Sequence, residues 1–358
     1  MALPAYMRGL PSIDITFQTA AQVTIAMGDK GYVGVIVRDT AQAGAHYLPR
    51  VGKIPAELTE DNRAYLTRTF LGYINPPKAV YLYVTDAEDV NLAEALAYFA
   101  TQEVDYLCGP PDLTSTEAQA MVTWLKERRA AHSHIKCVLP EMVADYDPVV
   151  DFDADGMTDG AETYTAAEYC SRIAGILAGT PWTMSATYAP LPELTDITRL
   201  DKEDADAAID AGKLILIHDG RQVKIARAVN SLTTTTPDHG PIFQKIKALE
   251  VIDRVDADFR ATIEDTFIGK YANSYDNRML LVTAGRNYFH ELEEAGILLA
   301  DGSSLDIDTE AVRDYLGTAG DEMDDETLRH ADTGSHVFLV GKFTILDAIE
   351  DVTIRITV

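Results

Sequence analysis

Apolar and polar residues alternate near both ends of the chain, a pattern typical of half-buried strands. The stretch VTIRITV at residues 352–358 alternates without a Gly, Pro or Asn, and SIDITF at residues 12–17 repeats the alternation after a proline. The apolar residues of the two stretches are Ile13, Ile15 and Phe17, and Val352, Ile354, Ile356 and Val358. Both stretches are therefore predicted to be extended arms.

Between the arms, the pattern switches repeatedly between strand-like and helix-like periods. Such β-α-β-α-β alternation is the signature of a layered α/β unit. Strands are predicted at residues 32–39, 78–86, 105–110 and 134–141, with helices at 60–73, 91–102, 115–132 and 165–178. Two β-rich runs joined by His218, Asp219 and Gly220 predict a hairpin, and long helices are predicted after Pro241.

The pattern alone does not say which strand receives the C-terminal stretch. Burying four aliphatic side chains stabilises by about 2 kcal/mol each. Ordering seven residues costs about 1 to 2 kcal/mol apiece before hydrogen bonds are counted. A free arm is marginal, so two pairings stay open: addition to a sheet in a neighbouring subunit, or a hairpin with VFLVGKFTIL in the same chain.

Composition excludes some partners. The chain has 57 acidic and 30 basic residues and a formal net charge of −27. Because phosphate binding needs clustered Lys and Arg, we expect no nucleic-acid partner and no direct membrane binding. No apolar run reaches the length of a membrane span. Three widely spaced cysteines indicate buried thiols in a reducing compartment, so a cytoplasmic protein is expected.

One acidic stretch, DFDADGMTDGAE, matches the spacing of an EF-hand calcium loop. Its carboxylates are Asp151, Asp153, Asp155, Asp159 and Glu162. Strand-like and irregular sequence with Pro148 precedes it, where an EF-hand would have a helix. An acidic turn or hairpin at Asp159 and Gly160 would explain the same stretch without calcium. We expect no cofactor, and calcium binding is the alternative hypothesis.

Enzyme motifs are otherwise absent from the sequence. It contains no phosphate-binding loop, dinucleotide fingerprint, nucleophile elbow or zinc-protease helix motif. His132 and His134 end a predicted helix, where His favours the dipole. The cysteines Cys108, Cys137 and Cys170 have the pattern of small core residues. We therefore expect no catalytic residues, and the rival hypothesis is a cytoplasmic α/β enzyme with an unrecognised Cys/His site.

Several long stretches resemble the tail sheath proteins of contractile bacteriophages, defective prophages and phage-tail-like bacteriocins, in their short form. In chain order they are GLPSIDITF, RIAGILAGTP, SATYAPL, KIARAVNSLT, FQKIKALEVID, IGKYANSYDNRMLL and TGSHVFLVGKFTILDAIEDVTIRITV. They run along nearly the whole chain. The resemblance implies an α/β protein in which an α+β assembly domain carries inserted α/β sub-domains, with extended N- and C-terminal β-strand arms.

The resemblance also implies a function. Sheath subunits stack as hexameric rings around an inner tube, and the sheath contracts to drive the tube through a cell envelope. The implied partners are other copies of the chain, the inner tail tube protein, and the baseplate and tail terminator proteins. Assembly would occur in the bacterial host cytoplasm, within a virion tail or a released phage-tail-like particle.

The resemblance assigns strand donation to the apolar residues of both arms. It also suggests a tube-facing surface near the C-terminal domain. Candidate residues for that surface are Lys245, Lys247, Arg254, Arg260 and Lys270, although solvated surface charges have the same pattern. The expected divisions are an N-terminal arm (1–19), an N-terminal α/β sub-domain (20–88), a central α/β sub-domain (89–240), an assembly domain (241–335) and a C-terminal β arm (336–358).

Overall fold

The computed structural model of the chain describes residues 23–86 and 92–357. The strands are β1 (Tyr32–Arg38), β2 (Gly44–Leu48), β3 (Ala79–Thr85), β4 (Tyr106–Cys108), β5 (Lys136–Pro140), β6 (Val149–Phe152), β7 (Met157–Thr158), β8 (Thr163–Tyr164), β9 (Lys213–Leu214), β10 (Leu216–His218), β11 (Val223–Ile225), β12 (Ser304–Ile307) and β13 (Leu339–Lys342). The helices are α1 (Glu60–Thr69), α2 (Ala93–Phe99), α3 (Ser115–Ala130), α4 (Ala166–Ala178), α5 (Lys202–Asp210), α6 (Ile246–Thr262), α7 (Tyr275–Glu294), α8 (Thr309–Leu316), α9 (Thr318–Asp321) and α10 (Asp325–His330).

A seven-stranded sheet forms the first part of the molecule, in the order β2-β3-β1-β4-β5-β6-β9. Its strands are parallel apart from β2, which pairs antiparallel with β3. The predicted α/β class is confirmed. Because β1 lies between β3 and β4, the sheet continues across the expected division at residues 88 and 89.

Helices cover both faces of this sheet, which explains why β1 is apolar along nearly its whole length. Val33, Val35 and Val37 pack into one core with helices α1 and α4. Ile36 points to the opposite face and packs into a second core with α2 and α3. The period of two along β1 therefore divides the apolar residues between the two layers.

Local sequence signals set where the main helices begin. In α3 the Thr114 side chain accepts from the Glu117 amide while the Glu117 carboxylate accepts from the Thr114 amide. The same reciprocal capping box joins Thr165 and Glu168 at the start of α4. These pairs satisfy amides that have no partner inside the helix, so both predicted helices start close to where the sequence places them.

The second part of the molecule is built on α6 and α7 with the two-stranded sheet of β12 and β13. Ile25 packs against Val251, Tyr288 and Leu305 in its core, so residues near the start of the described chain belong to this part. The long helix predicted after Pro241 is interrupted. A 3-10 turn covers Pro241–Gln244 and a π-helix follows α6 at Ile263–Phe267.

Buried charges join the two parts of the molecule across helix α6. Lys30 donates to the Glu250 carboxylate at 2.6 Å and to the carbonyl of Thr180 at 2.7 Å, and the Tyr106 hydroxyl also donates to Glu250. Further along α6, Lys136 from β5 donates to Asp253 at 3.0 Å. The acidic face of α6 thus contacts Tyr106 and Lys136 from the large sheet and Lys30, which lies just before β1.

Candidate assembly site

The last described residues of the chain are exposed. Val352, Ile354 and Ile356 are 68%, 74% and 82% exposed, and residues 352–357 form no strand and no hydrogen bond to another described residue. We call residues 352–358 the terminal segment. Three apolar side chains on one face of an unpaired segment are costly in water, so this face is suited to burial against another surface. Val358 and the N-terminal residues Ile13, Ile15 and Phe17 lie outside the described residues.

Of the two pairings left open by the sequence, the hairpin between the terminal segment and VFLVGKFTIL does not form among the described residues. The stretch VFLVGKFTIL does supply strand β13, but β13 pairs antiparallel with β12 and not with the terminal segment. The competing partner was missed because β12, SLDI, is only four residues long and half polar. It lies more than thirty positions before β13, so no local turn signal links the two.

Among the described residues, the sheet of β12 and β13 has an edge, along β13, that no other strand covers. On the β12 side, the Arg286 guanidinium donates to the Leu305 carbonyl at 2.7 Å and occupies the β12 edge. On the β13 side, no other described residue pairs with Leu339 to Lys342 as a strand. Because backbone groups alternate in direction along an antiparallel pair, and Phe338 accepts from the Asp308 amide, Leu339 and Gly341 point their backbone groups outward.

The chain is held firmly just before the terminal segment begins. The Glu350 Oε1 atom accepts from the Ser185 hydroxyl at 3.0 Å and from the Thr187 hydroxyl at 2.5 Å. Arg227 lies 3.7 Å from the other Glu350 oxygen and donates to Asp351 Oδ1 at 2.8 Å. The hydrogen bond from Arg227 to Asp351 raises the pKa of the Arg227 guanidinium.

Two lysines from the start of α6 complete this attachment. Lys247, which is 6% exposed, donates to the Leu346 carbonyl at 2.6 Å, and burial lowers its pKa. Lys245 forms an ion pair with Asp347. Burial alone would raise the pKa of Asp347, but the Lys245 hydrogen bond and further contacts keep it below its usual value. We call residues 346–351 the root of the terminal segment.

Sequence reasoning missed most of the residues that hold the root. Ser185, Thr187 and Arg227 lie in SATYAPL and KIARAVNSLT, and the two lysines lie in FQKIKALEVID. These are among the stretches that carry the resemblance described above, and they meet around the last of those stretches. Their place in these stretches was the signal that could have identified them. The sequence does not show that the stretches are neighbours in space.

The five basic residues suggested for a tube-facing surface all have partners within the chain. Lys245 and Lys247 hold the root, so Lys247 is not the solvated surface charge that its position suggested. Arg254 pairs with Asp258, Arg260 with Asp256 and the His132 ring, and Lys270 with the Asp265 carbonyl. Their contact with a tube stays a prediction.

The acidic stretch folds as a strand followed by a hairpin. Asp151 belongs to β6 and Asp153 pairs with Lys213 at 2.6 Å. The Asp159 carboxylate accepts from the amides of Ala161 and Glu162 and so closes the turn between β7 and β8, with Asp155 preceding it. Hydrogen bonds from these amides and from Tyr164 hold the pKa of Asp159 at about 2. The turn at Asp159 and Gly160 is the alternative that the sequence offered to a calcium loop, and Glu162 lies on its far side.

Cysteine and histidine do not come together as a nucleophile and base among the described residues. Cys108, Cys137 and Cys170 are free and buried, and burial raises the pKa of the Cys108 thiol to about 12. His134 contacts Asp253 and Asp256 instead. Residues 23–86 and 92–357 contain no group of three or more His, Cys, Asp or Glu side chains placed to hold a metal ion. None of the helices in the same residues is long and apolar enough to cross a membrane.

An α/β body that carries both an exposed strand-like segment and an open sheet edge defines a subunit able to join copies of itself. Comparison with known proteins identifies the group. Residues 84–231 match the family described as phage tail sheath protein central domain, and residues 238–358 match the phage tail sheath C-terminal domain. The chain is 34% identical over 358 residues to the tail sheath protein of Clostridium phage phiCD119, covering 98% of this chain and 99% of that one. The chain belongs to the phage tail sheath protein family and is a structural subunit of a contractile sheath.

Solved structures agree on the fold. The anti-feeding prophage helical sheath in its contracted state matches with a TM-score of 0.71 at 14% identity, covering 98% of this chain and 99% of that one. The sheath tail protein of Desulfitobacterium hafniense matches with a TM-score of 0.68 at 18% identity, covering 82% of this chain and 93% of that one. These structures confirm the predicted fold, and the family models and the relative at 34% identity confirm the predicted family.

Proposed function

We propose that this subunit polymerises into a helical sheath by adding its terminal segment as a strand to the β13 edge of a neighbouring copy. The observation that carries the proposal is the exposed apolar face of Val352, Ile354 and Ile356, on a chain that also presents an open sheet edge. Each strand would gain main-chain hydrogen bonds from that edge and a surface for its apolar face.

The energetic balance favours this pairing in a polymer. Burying each of these side chains is worth about 2 kcal/mol, whereas ordering costs about 1 to 2 kcal/mol for every residue of the segment, so burial alone does not exceed the cost of ordering. The ladder of hydrogen bonds adds a further contribution of about 1 kcal/mol per bond. The segment therefore stays unpaired in an isolated chain, whereas hydrogen bonds to the free edge of a neighbour make its ordering favourable.

Truncation tests the proposal. A protein ending at Asp351 keeps the whole root and loses only the terminal segment, so we expect a folded monomer that forms no tubes in negative-stain electron microscopy. Full-length protein at the same concentration should form striated hollow tubes. Polymers of normal appearance from the truncated protein would refute strand addition.

A pair of matched substitutions separates the apolar face from charge alone. Ile354→Asp together with Ile356→Asp places two charges on the face proposed for burial and should abolish tubes. Thr353→Asp together with Thr357→Asp adds the same charge to the opposite face and should leave assembly largely intact. Equal loss in both proteins would show that added charge, rather than the apolar face, governs assembly.

The finer parts of the function rest on family membership. We propose that the sheath surrounds an inner tube, forms hexameric rings, meets baseplate and tail terminator proteins, and is assembled in the bacterial host cytoplasm. The N-terminal arm, with Ile13, Ile15 and Phe17, is proposed to donate a second strand. The role is mechanical, with no catalytic residue and no cofactor, and calcium plays no part in the proposal.

A further inference from the structure

Three separate segments of the chain converge on the root of the terminal segment. Ser185 and Thr187 come from the loop after α4, Arg227 follows β11, and Lys245 and Lys247 lie at the start of α6. All of them except Thr187 line a cavity of about 360 Å³, together with Asp347 and Glu350 of the root. The three cations of this group, Arg227, Lys245 and Lys247, lie beside a stretch that carries three carboxylates, those of Asp347, Glu350 and Asp351.

Each contact fixes a different part of the root. Lys247 holds the backbone at the Leu346 carbonyl, and Lys245 holds the Asp347 side chain. The hydroxyls and Arg227 hold Glu350, whose side chain is 12% exposed. Arg227 also donates to Asp351, the last residue before the terminal segment. Contacts at four of six consecutive residues leave the root little freedom to rotate.

The terminal segment is short, so its direction of departure matters. Seven extended residues span at most about 25 Å. With a fixed root, the segment starts from one point and one direction, which raises its effective concentration at an acceptor edge within reach. With a free root, residues 347–351 would sample many directions, and the ordering cost would rise for each of them.

We infer that Arg227, Lys245 and Lys247 form an ionic clamp that sets the direction in which the terminal segment leaves the subunit, and so positions it for the neighbouring copy. The clamp rests on the proposed strand addition. Its residues need not touch the neighbour, because they act through the root. They are positioning residues, distinct from the apolar residues that make the contact.

A charge swap tests the clamp at a pair with few other contacts. The Lys245 and Asp347 side chains are 39% and 42% exposed, so reversing either charge should leave the fold intact. We expect Lys245→Glu and Asp347→Lys each to raise the critical concentration for polymerisation, measured by sedimentation, by about tenfold, which corresponds to about 1.4 kcal/mol. The double variant, Lys245→Glu with Asp347→Lys, should restore it to within about threefold of the unmodified protein.

A matched control separates position from net charge. Lys202 pairs with Asp206 on the exposed face of α5, so Lys202→Glu makes the same charge change away from the root. It should leave the critical concentration unchanged. Lys245→Gln, which removes the charge without reversing it, serves as the second variant. The melting temperature of every variant should lie within about 2 °C of that of the unmodified protein.

The outcomes distinguish the clamp from strand addition. If the protein truncated after Asp351 polymerises, strand addition itself is refuted. If truncation blocks assembly but Lys245→Glu and Lys245→Gln both polymerise normally, only the clamp is refuted. A double variant that fails to recover while remaining folded would also overturn it, because a positioning ion pair should work with its charges exchanged.

Discussion

Asp253 is one of the two buried carboxylates of α6 that join the two parts of the molecule, and its replacement gives a testable prediction. Asp253 on α6 is 4% exposed and accepts from Lys136 at 3.0 Å. Its other oxygen lies 2.8 Å from Arg129 and 3.4 Å from the His134 ring. Lys136 is itself 5% exposed, so Asp253 is the charge that compensates a buried ammonium.

The perturbation is Asp253→Asn, which keeps the shape and removes the charge. Breaking a buried ion pair from one side typically costs about 3 to 5 kcal/mol, because the remaining charge is left buried. Arg129 is more exposed than Lys136 and can turn toward water. We therefore expect a loss of about 3 kcal/mol in the free energy of unfolding at pH 7.

The pH dependence supplies a second test of the same reasoning. Burial alone would raise the pKa of Asp253, but Lys136, His134 and Arg129 together hold it well below the ordinary value of 3.8. A carboxyl group whose pKa is depressed on folding contributes stability above its unfolded pKa and loses it as the pH falls through the folded value. The difference between the two proteins should therefore shrink below about pH 4.

Urea denaturation at pH 7 and at pH 3.5 measures both effects. Asp256→Asn is the control, because Asp256 is 47% exposed and contacts the same His134 ring at 3.0 Å. Its loss should stay below about 1 kcal/mol. A change of less than about 1 kcal/mol for Asp253→Asn at pH 7 would contradict the claim that this buried pair stabilises the junction.

Two further predictions concern the large sheet and its helices. A Cβ added at Gly175 in α4 would overlap the Thr69 carbonyl at the end of α1, so Gly175→Ala should lower the free energy of unfolding by about 1 to 3 kcal/mol, and unchanged stability would refute the close packing. Burial raises the pKa of Asp151 to about 6, and one of its oxygens has no hydrogen-bond partner in the described structure. Because a raised carboxyl pKa makes the native state lose stability as the pH rises from about 4 to 6, Asp151→Asn should gain stability relative to native protein over that range, by at most about 3 kcal/mol. If the free energy of unfolding, measured by urea denaturation, had the same pH dependence in both proteins, burial would not raise the pKa of Asp151.

Sequence pattern predicted four of the seven strands of the large sheet, β1, β3, β4 and β5, because these are nearly continuous apolar runs separated by helices. The β10 and β11 hairpin was likewise predicted from its turn residues, and Gly220 adopts a φ of +90° there, in the left-handed region that favours glycine. The strands β2 and β12 were among those missed. Both are short and carry polar residues, and each is defined by a partner strand more than thirty positions away.

The candidate site was only partly visible from the sequence. Alternation identified the apolar face of the terminal segment, because period two is a local property of the chain. Charge did not identify the residues around the root, since lysines and arginines on helices look alike whether solvated or paired. Lys247 shows the difference: its spacing indicated a surface charge, whereas its burial and its bond to the Leu346 carbonyl depend on residues ninety-nine positions away.

The root and the terminal segment differ in side-chain chemistry, which explains why the root is paired within the subunit and the terminal segment is not. Charged and hydroxyl groups of the subunit itself satisfy the root, so that stretch is ordered before any neighbour arrives. The terminal segment has apolar side chains whose burial, at about 2 kcal/mol each, at most balances the cost of ordering the whole segment. A segment balanced in this way stays available in the monomer and becomes ordered when an edge is supplied. The pre-ordered root lowers the remaining cost, so polymerisation should be more sensitive to the root charges than folding is.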